Sequence, residues 1–249
     1  MVTPKIYMTK APSSEYNCQC PGCPNGAEKG KTFCEKHEMG GCSVKSPESG
    51  WEPEYDPNVY NGDKAVRHSH NCYSYAMGVY NKKKIEECRT QNKCPFDSPG
   101  NKGGLPSLNS DNRKMCGEIV SRTMADIGEG AYLTDYTSKC RPGTSKVFVI
   151  VDEKNDFHYG RQDKPNPGDK YKNRWSHKSG ARLAKDFDAT VAPIYAPHLA
   201  NWNFKKEFPE DTELNYRDFC SYMCVPRDRE IVLAGGLRKR RKTRKRQSK

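Results

Sequence analysis

Cys72 stands between Asn71 and a tyrosine-rich run, and two histidines, His158 and His177, lie far downstream in segments of strand-like composition. A thiol attacks as thiolate, and a helix N-terminus favours thiolate because free N–H groups and the helix dipole stabilise negative charge. The stretch Asn71 to Tyr80 (NCYSYAMGVY) has an acceptable N-cap in Asn71 and places Cys72, Tyr75, Ala76 and Val79 on one face. Cys72 therefore falls at the first residue of an expected short helix. His158 follows the turn Glu153-Lys154-Asn155-Asp156, and His177, nineteen residues later on the next strand, could orient its imidazole through the other ring nitrogen. The chemistry this allows is thiol-dependent hydrolysis of an amide or peptide bond, with Cys72 as nucleophile, His158 as base and His177 as orienter. The competing reading of the same residues is a buried thiol and two structural histidines on neighbouring strands.

A second constellation is CQCPGCPN…FCEKH. Cys34-x2-His37 supplies two ligands one helical turn apart, and Cys20-x2-Cys23 supplies a pair around Pro-Gly, with Cys18 as a rival ligand. The expectation is a structural zinc site on Cys20, Cys23, Cys34 and His37, resembling the Cys/His zinc knuckles of large DNA viruses. A disulfide-stapled loop drawing on Cys18, Cys20, Cys23, Cys34 and Cys42 is the alternative. Cys88/Cys94, Cys116/Cys140 and Cys220/Cys224 remain open to disulfides, a second zinc site or buried thiols.

These residues need elements to hold them. The chain has 249 residues, 34% hydrophobic and 30% charged, with 14 Tyr, 8 Phe and 3 Trp: polar for its size, yet too aromatic to be disordered throughout. Residues 1–50 carry Cys, Gly, Pro and Lys with little apolar periodicity and need a staple other than a core. Residues 51–64 read as a connector with aromatic anchors, and 65–225 as a globular domain. Met115 to Ile127 is the best expected helix, with Gly128 as its stop. Ser145 to Asp152 is the clearest strand, apolar enough to be central, and Phe157 to Gln162 and Arg174 to Lys178 follow as strands. The fold class is α+β, helix first and antiparallel sheet second, with Trp175 and Trp202 as core.

The net charge of +12 is concentrated at one end: nine Lys or Arg fall in residues 238–249, leaving 34 basic against 31 acidic residues elsewhere. Residues 226–249 read as a basic tail, disordered until bound, whose run after Gly235-Gly236 binds nucleic acid or another polyanion through counterion release; nuclear localisation and a solvated tail are the other readings. No run of 18 apolar residues exists, which excludes an ordinary transmembrane helix, and the first residues lack a secretory pattern. The expected location is intracellular, in a virion or in host cytoplasm or nucleus.

The strings NCYSYAMG and DFHYGRQD…RWSHKSG resemble an uncharacterised bacterial and viral set of papain-like cysteine hydrolases, similar to the wider NlpC-type clan. The resemblance covers about residues 68–190. It implies a papain-like domain with Cys72, His158 and His177 as its catalytic residues. The oxyanion donors would be the Cys72 amide with Asn71, His70 or His68, and Arg161, Gln162 and Asp163 would buttress the site. Phe157, Tyr159-Gly160 and the lysine-rich loop before Trp175 depart from the family pattern. The competing function is a structural, virion-associated protein that keeps the hydrolase fold as a scaffold and meets other virion proteins.

Overall fold

The computed structural model describes residues 9–10, 16–108, 114–169, 173–206, 214–231 and 233. The basic run 238–249 lies outside them. A two-residue strand β1 (Thr9–Lys10) precedes the helices α1 (Glu35–Gly40), α2 (Asn58–Asn61), α3 (Lys64–Ser69), α4 (Cys72–Met77), α5 (Lys82–Gln91) and α6 (Cys116–Ile127). Strands β2 (Tyr132–Thr134), β3 (Thr144–Asp152), β4 (Asp156–Asp163), β5 (Arg174–Lys178), β6 (Ala184–Lys185) and β7 (Asp218–Pro226) complete an antiparallel sheet of order β1-β7-β3-β4-β5-β6, with β2 also on β7. The molecule is α+β.

The local rules hold where the sequence is explicit. Asn71 caps α4 by accepting from the Ser74 amide, and Gly78, at φ 72°, closes it in the left-handed region that glycine tolerates. All six residues of α4 are buried, so packing rather than amphipathicity holds it in place. Strand β3 is buried along eight of its nine residues and sits between β4 and β7, as a continuous apolar run requires.

The sheet separates two cores, because side chains on a strand alternate between faces. On one face α4 and α6 pack Cys72, Tyr73, Ile119 and Val120 against Val147, Val149, Phe157 and Tyr159. On the other face Phe148, Ile150, Trp175, Phe219 and Tyr222 pack with Trp202, Phe204, Tyr216 and the residues Cys18, Cys20, Phe33 and Cys34. Trp175 and Trp202 are core, as expected. The N-terminal cysteine-rich segment thus borrows the sheet's second core, and a smaller cluster around Tyr60, Val66, Tyr75 and Ile85 fills one corner.

Eight of the twelve cysteines form disulfides: Cys20–Cys42, Cys88–Cys94, Cys116–Cys220 and Cys140–Cys224. The last two tie β7 to α6 and to the loop before β3. The β3–β7 register shifts between Val149 and Ile150, skipping Cys220. That bulge re-aims Cys220 toward the helix face, where Cys116 waits at the start of α6.

Candidate functional site

Two groups of cysteine and histidine occupy different parts of the molecule. In the first, Cys18 Sγ, Cys23 Sγ, Cys34 Sγ and His37 Nδ1 lie within 4.8 Å of one another. The separations are 3.3 Å for Cys18–His37, 3.4 Å for Cys34–His37 and 3.8 Å for Cys23–Cys34. A tetrahedral ion with metal–sulfur bonds of about 2.3 Å and metal–nitrogen bonds of about 2.0–2.1 Å has S···S edges of about 3.8 Å and S···N edges of about 3.5 Å. Three of the six edges therefore match and the others stay within 4.8 Å, a donor set compatible with a zinc site.

Local chain geometry builds this group. Cys34 caps α1, and the His37 amide donates to its carbonyl at 2.9 Å, so the x2 spacing stacks both donors on one turn. The Cys23 amide donates to Cys20 O at 3.0 Å across a turn that needs Gly22 at φ 83°. The expected ligand Cys20 is not in the group; Cys18 replaces it. In an extended segment residues two apart face the same way, so Cys18 and Cys20 both point at this region, and Cys42 takes Cys20 into a disulfide. Burial alone would raise the Cys34 thiol, but the His37 amide and the neighbouring Cys18, His37 and Cys23 side chains outweigh it and hold it at about 6. Cys18 goes the other way, pushed up to about 11 chiefly by burial.

The group is docked on the body. Gln19 Oε1 accepts from the Tyr195 and Ala196 amides at 2.7 and 3.1 Å, Thr32 Oγ1 donates to Pro193 O at 2.8 Å, and Phe33 meets Tyr195 edge-on at 4.8 Å.

The second group is divided by the sheet. His158 and His177 meet: His177 Nε2 lies 2.9 Å from Phe187 O, which can only accept, so His177 Nδ1 accepts from His158 Nε2–H at 2.8 Å. Burial is the main cause that holds His177 at about 3 and His158 well below the usual imidazole range, and the Lys185 ammonium pushes both the same way. Both rings are neutral near pH 7. They pack among Trp202, Phe204 and Tyr216, with Tyr216 stacked on His158 at 5.2 Å.

The expected thiol–imidazole pair is not formed. Cys72 packs with Phe157 and Tyr159, the residues on either side of His158, and alternation sends His158 to the opposite face. The thiol donates to Phe157 O at 3.8 Å and takes a backbone hydrogen bond at Tyr159. It is 4% exposed, and burial raises its pKa, the reverse of the expected activation. The helix it opens spans only six residues, too short for the dipole to prevail.

No family model and no solved structure matches this chain. Over 147 residues, 59% of its length, it is 26% identical to insoluble matrix shell protein 1 of Ruditapes philippinarum, spanning 80% of that protein. The chain is similar there to a shell matrix protein.

The expected oxyanion and support residues are already engaged. His70 Nε2 accepts from the Asn81 amide at 2.9 Å, leaving Nδ1–H for Val66 O, and its ring stacks on Tyr80. Asn71 spends its amide on Asp97 O at 2.8 Å and its oxygen on Ser74. Gln162 faces the second core, where it bonds Ser46 and Asn173. Arg161 and Asp163 pair with each other at 2.8 Å, Arg161 lies over the Tyr75 ring, and Ser176 donates to Asp163, contacts that brace α4 against β4 and β5. Lys178, which no spacing pointed to, clamps the α3–α4 junction through Arg67 O and His70 O, and burial lowers it to about 7. The satisfied groups around Cys72 and the His pair rigidify the fold. No helix among the described residues is long and apolar enough to cross a membrane.

Proposed function

We propose that this chain is a structural module of an assembled matrix, in which a zinc-stapled knuckle and a disulfide-braced sheet present surfaces for binding rather than a site for turnover. One observation carries the reading: Cys72 and the His158–His177 pair are buried on opposite faces of the sheet. A cysteine hydrolase needs a thiol and an imidazole within hydrogen-bond reach. Similarity to a protein named as an insoluble shell matrix component supports the same direction. Four disulfides point to maturation in an oxidising compartment instead of a reducing cytosol.

Zinc fits that setting. Cys18, Cys23, Cys34 and His37 would hold it with no position open to substrate, so its contribution is folding free energy. Bound as thiolates, the three cysteines escape the oxidation that paired the neighbouring Cys20 and Cys42. Residues 238–249 would add sequence-independent attraction to polyanions.

The test treats the full chain with a thiol-reactive, peptide-like probe across pH, beside Cys72→Ala and after denaturation. Cys72 should label far more slowly in the native chain than once unfolded. Native labelling of Cys72 that disappears in His158→Ala would restore the papain-like hydrolase reading. Metal analysis should find about one zinc per chain, and finding none, with Cys18, Cys23 and Cys34 oxidised, would remove the knuckle from the proposal.

A further inference from the structure

A cavity of about 450 Å³ opens between the end of α3 and the β5–β6 connection, lined by Arg67, His68, Ser179, Ala181–Ala184, Lys185 and Phe187. Its cationic side chains come from two distant stretches of chain, and no Asp or Glu is among the described residues that line it. The Ser179 hydroxyl oxygen is buried there with no hydrogen-bond partner among the described residues. An orphaned buried donor costs free energy unless something completes it. Beneath the wall Lys178 Nζ donates to Arg67 O and Gly180 O; held at about 7 by burial, it adds positive charge on the acid side of neutrality, where His68 titrates. The other wall is apolar: Leu183 is half exposed, and Phe187 carries the Lys185 ammonium 4.9 Å from its ring centroid.

We propose that this cavity binds the oxyanion head of an organic phosphate or sulfate monoester, with Arg67, Arg182, Lys185 and the Ser179 hydroxyl on the head and Leu183 and Phe187 against the organic body. Guanidinium groups match such oxygens in a bidentate fork, and a hydroxyl supplies a directed third donor. The surroundings already respond to charge. Burial first, then Arg67, Lys64 and Lys178, depress the His68 imidazole. An anion seated among the same cations would offset their share of that effect. This site shares no residue with the knuckle or with the basic run, so it stands whatever becomes of either.

The experiment follows the His68 ring by NMR through a pH series of the full chain, alone and with phenyl phosphate, phenyl sulfate or inorganic phosphate. Saturation with the esters should raise the His68 midpoint by about one pH unit. Phenyl phosphate should bind at least about threefold more tightly than inorganic phosphate, because the apolar wall contributes. The tighter of the two esters identifies the head group. Arg182→Gln, at an exposed position that leaves the fold intact, should weaken binding about threefold or more, and Arg182→Glu with Lys185→Glu should abolish the His68 response. An unmoved His68 midpoint would overturn the proposal, as would a response that survives the double reversal. Equal affinity for phenyl and inorganic phosphate would overturn the role of Leu183 and Phe187.

Discussion

The knuckle and the sheet each gather cysteine and histidine, yet only the knuckle brings its donors to one point. In the knuckle, each pairing is made by a turn of chain: Cys34 and His37 by one helical turn, Cys23 by a glycine turn, Cys18 by a short extended segment. At the sheet, Cys72 and His158 are separated by 85 residues of sequence plus one choice of strand parity. A shift of a single position along β4 would have put an imidazole where Phe157 or Tyr159 meets the thiol. Proximity within a turn is fixed locally, whereas proximity across a fold depends on which face a strand shows.

The contrast breaks most visibly at the zinc proposed for the knuckle. Chelation of the full chain should release about one zinc and melt residues 18–37, with a loss on the order of 10 kcal/mol of binding free energy. Hydrogen exchange should also rise at the Tyr195 and Ala196 amides, which donate to Gln19 where the segment docks. Cys34→Ser should reproduce the loss and Cys20→Ser should not, because Cys20 is bound to Cys42.

The sheet depends on covalent closure instead. Replacing Cys116 and Cys220 by Ser removes a link between residues 104 apart, and should cost about 4 kcal/mol in urea unfolding. Metal content should not change.

Acid provides a third, smaller discrimination. His177 and His198 are held at about 3 and about 4, mainly by burial, below the unfolded value of about 6.5. Below that value the unfolded chain binds protons that the folded one refuses, so stability is full above about pH 6.5 and falls as pH drops toward 4 and 3. His177→Gln should flatten the slope of the urea midpoint against pH across that window.

The smallest effect is the sharpest test of the two faces. His158→Ala should leave the slow native alkylation of Cys72 unchanged within about twofold, since the thiol bonds to β4 backbone rather than to an imidazole. A rate that collapsed would mean the two groups communicate after all.

Much of the frame was legible before any coordinates. Asn71 as cap, Gly128 as stop and the apolar run of β3 each follow from a rule that acts within a few residues, whereas the helix expected over Asn71 to Tyr80 ends at Met77, where Gly78 at φ 72° closes it. Strand β7 escaped notice because Cys220 and Cys224 invite a metal or disulfide reading and Ser221 interrupts its apolar run. Cys116 pairs with Cys220 and Cys140 with Cys224, while their nearer neighbours in sequence do not pair, because pairing follows the sheet and α6. The choice of Cys18 over Cys20 waited on Cys42, and the basic cavity draws on residues 67–68 and 179–187, which no motif links.

The two bridges that hold β7 also bound how far the chain can be stretched. Cys116–Cys220 and Cys140–Cys224 overlap, so together they lock nearly everything from residue 116 to residue 224 inside closed loops. At about 3.5 Å per extended residue, that is roughly 370 Å of contour which tension on the ends cannot release until a bridge is reduced. A fibre or sheet cast from such units would stop short at its disulfides, with residues 20–42 of each knuckle held closed by Cys20–Cys42 as well.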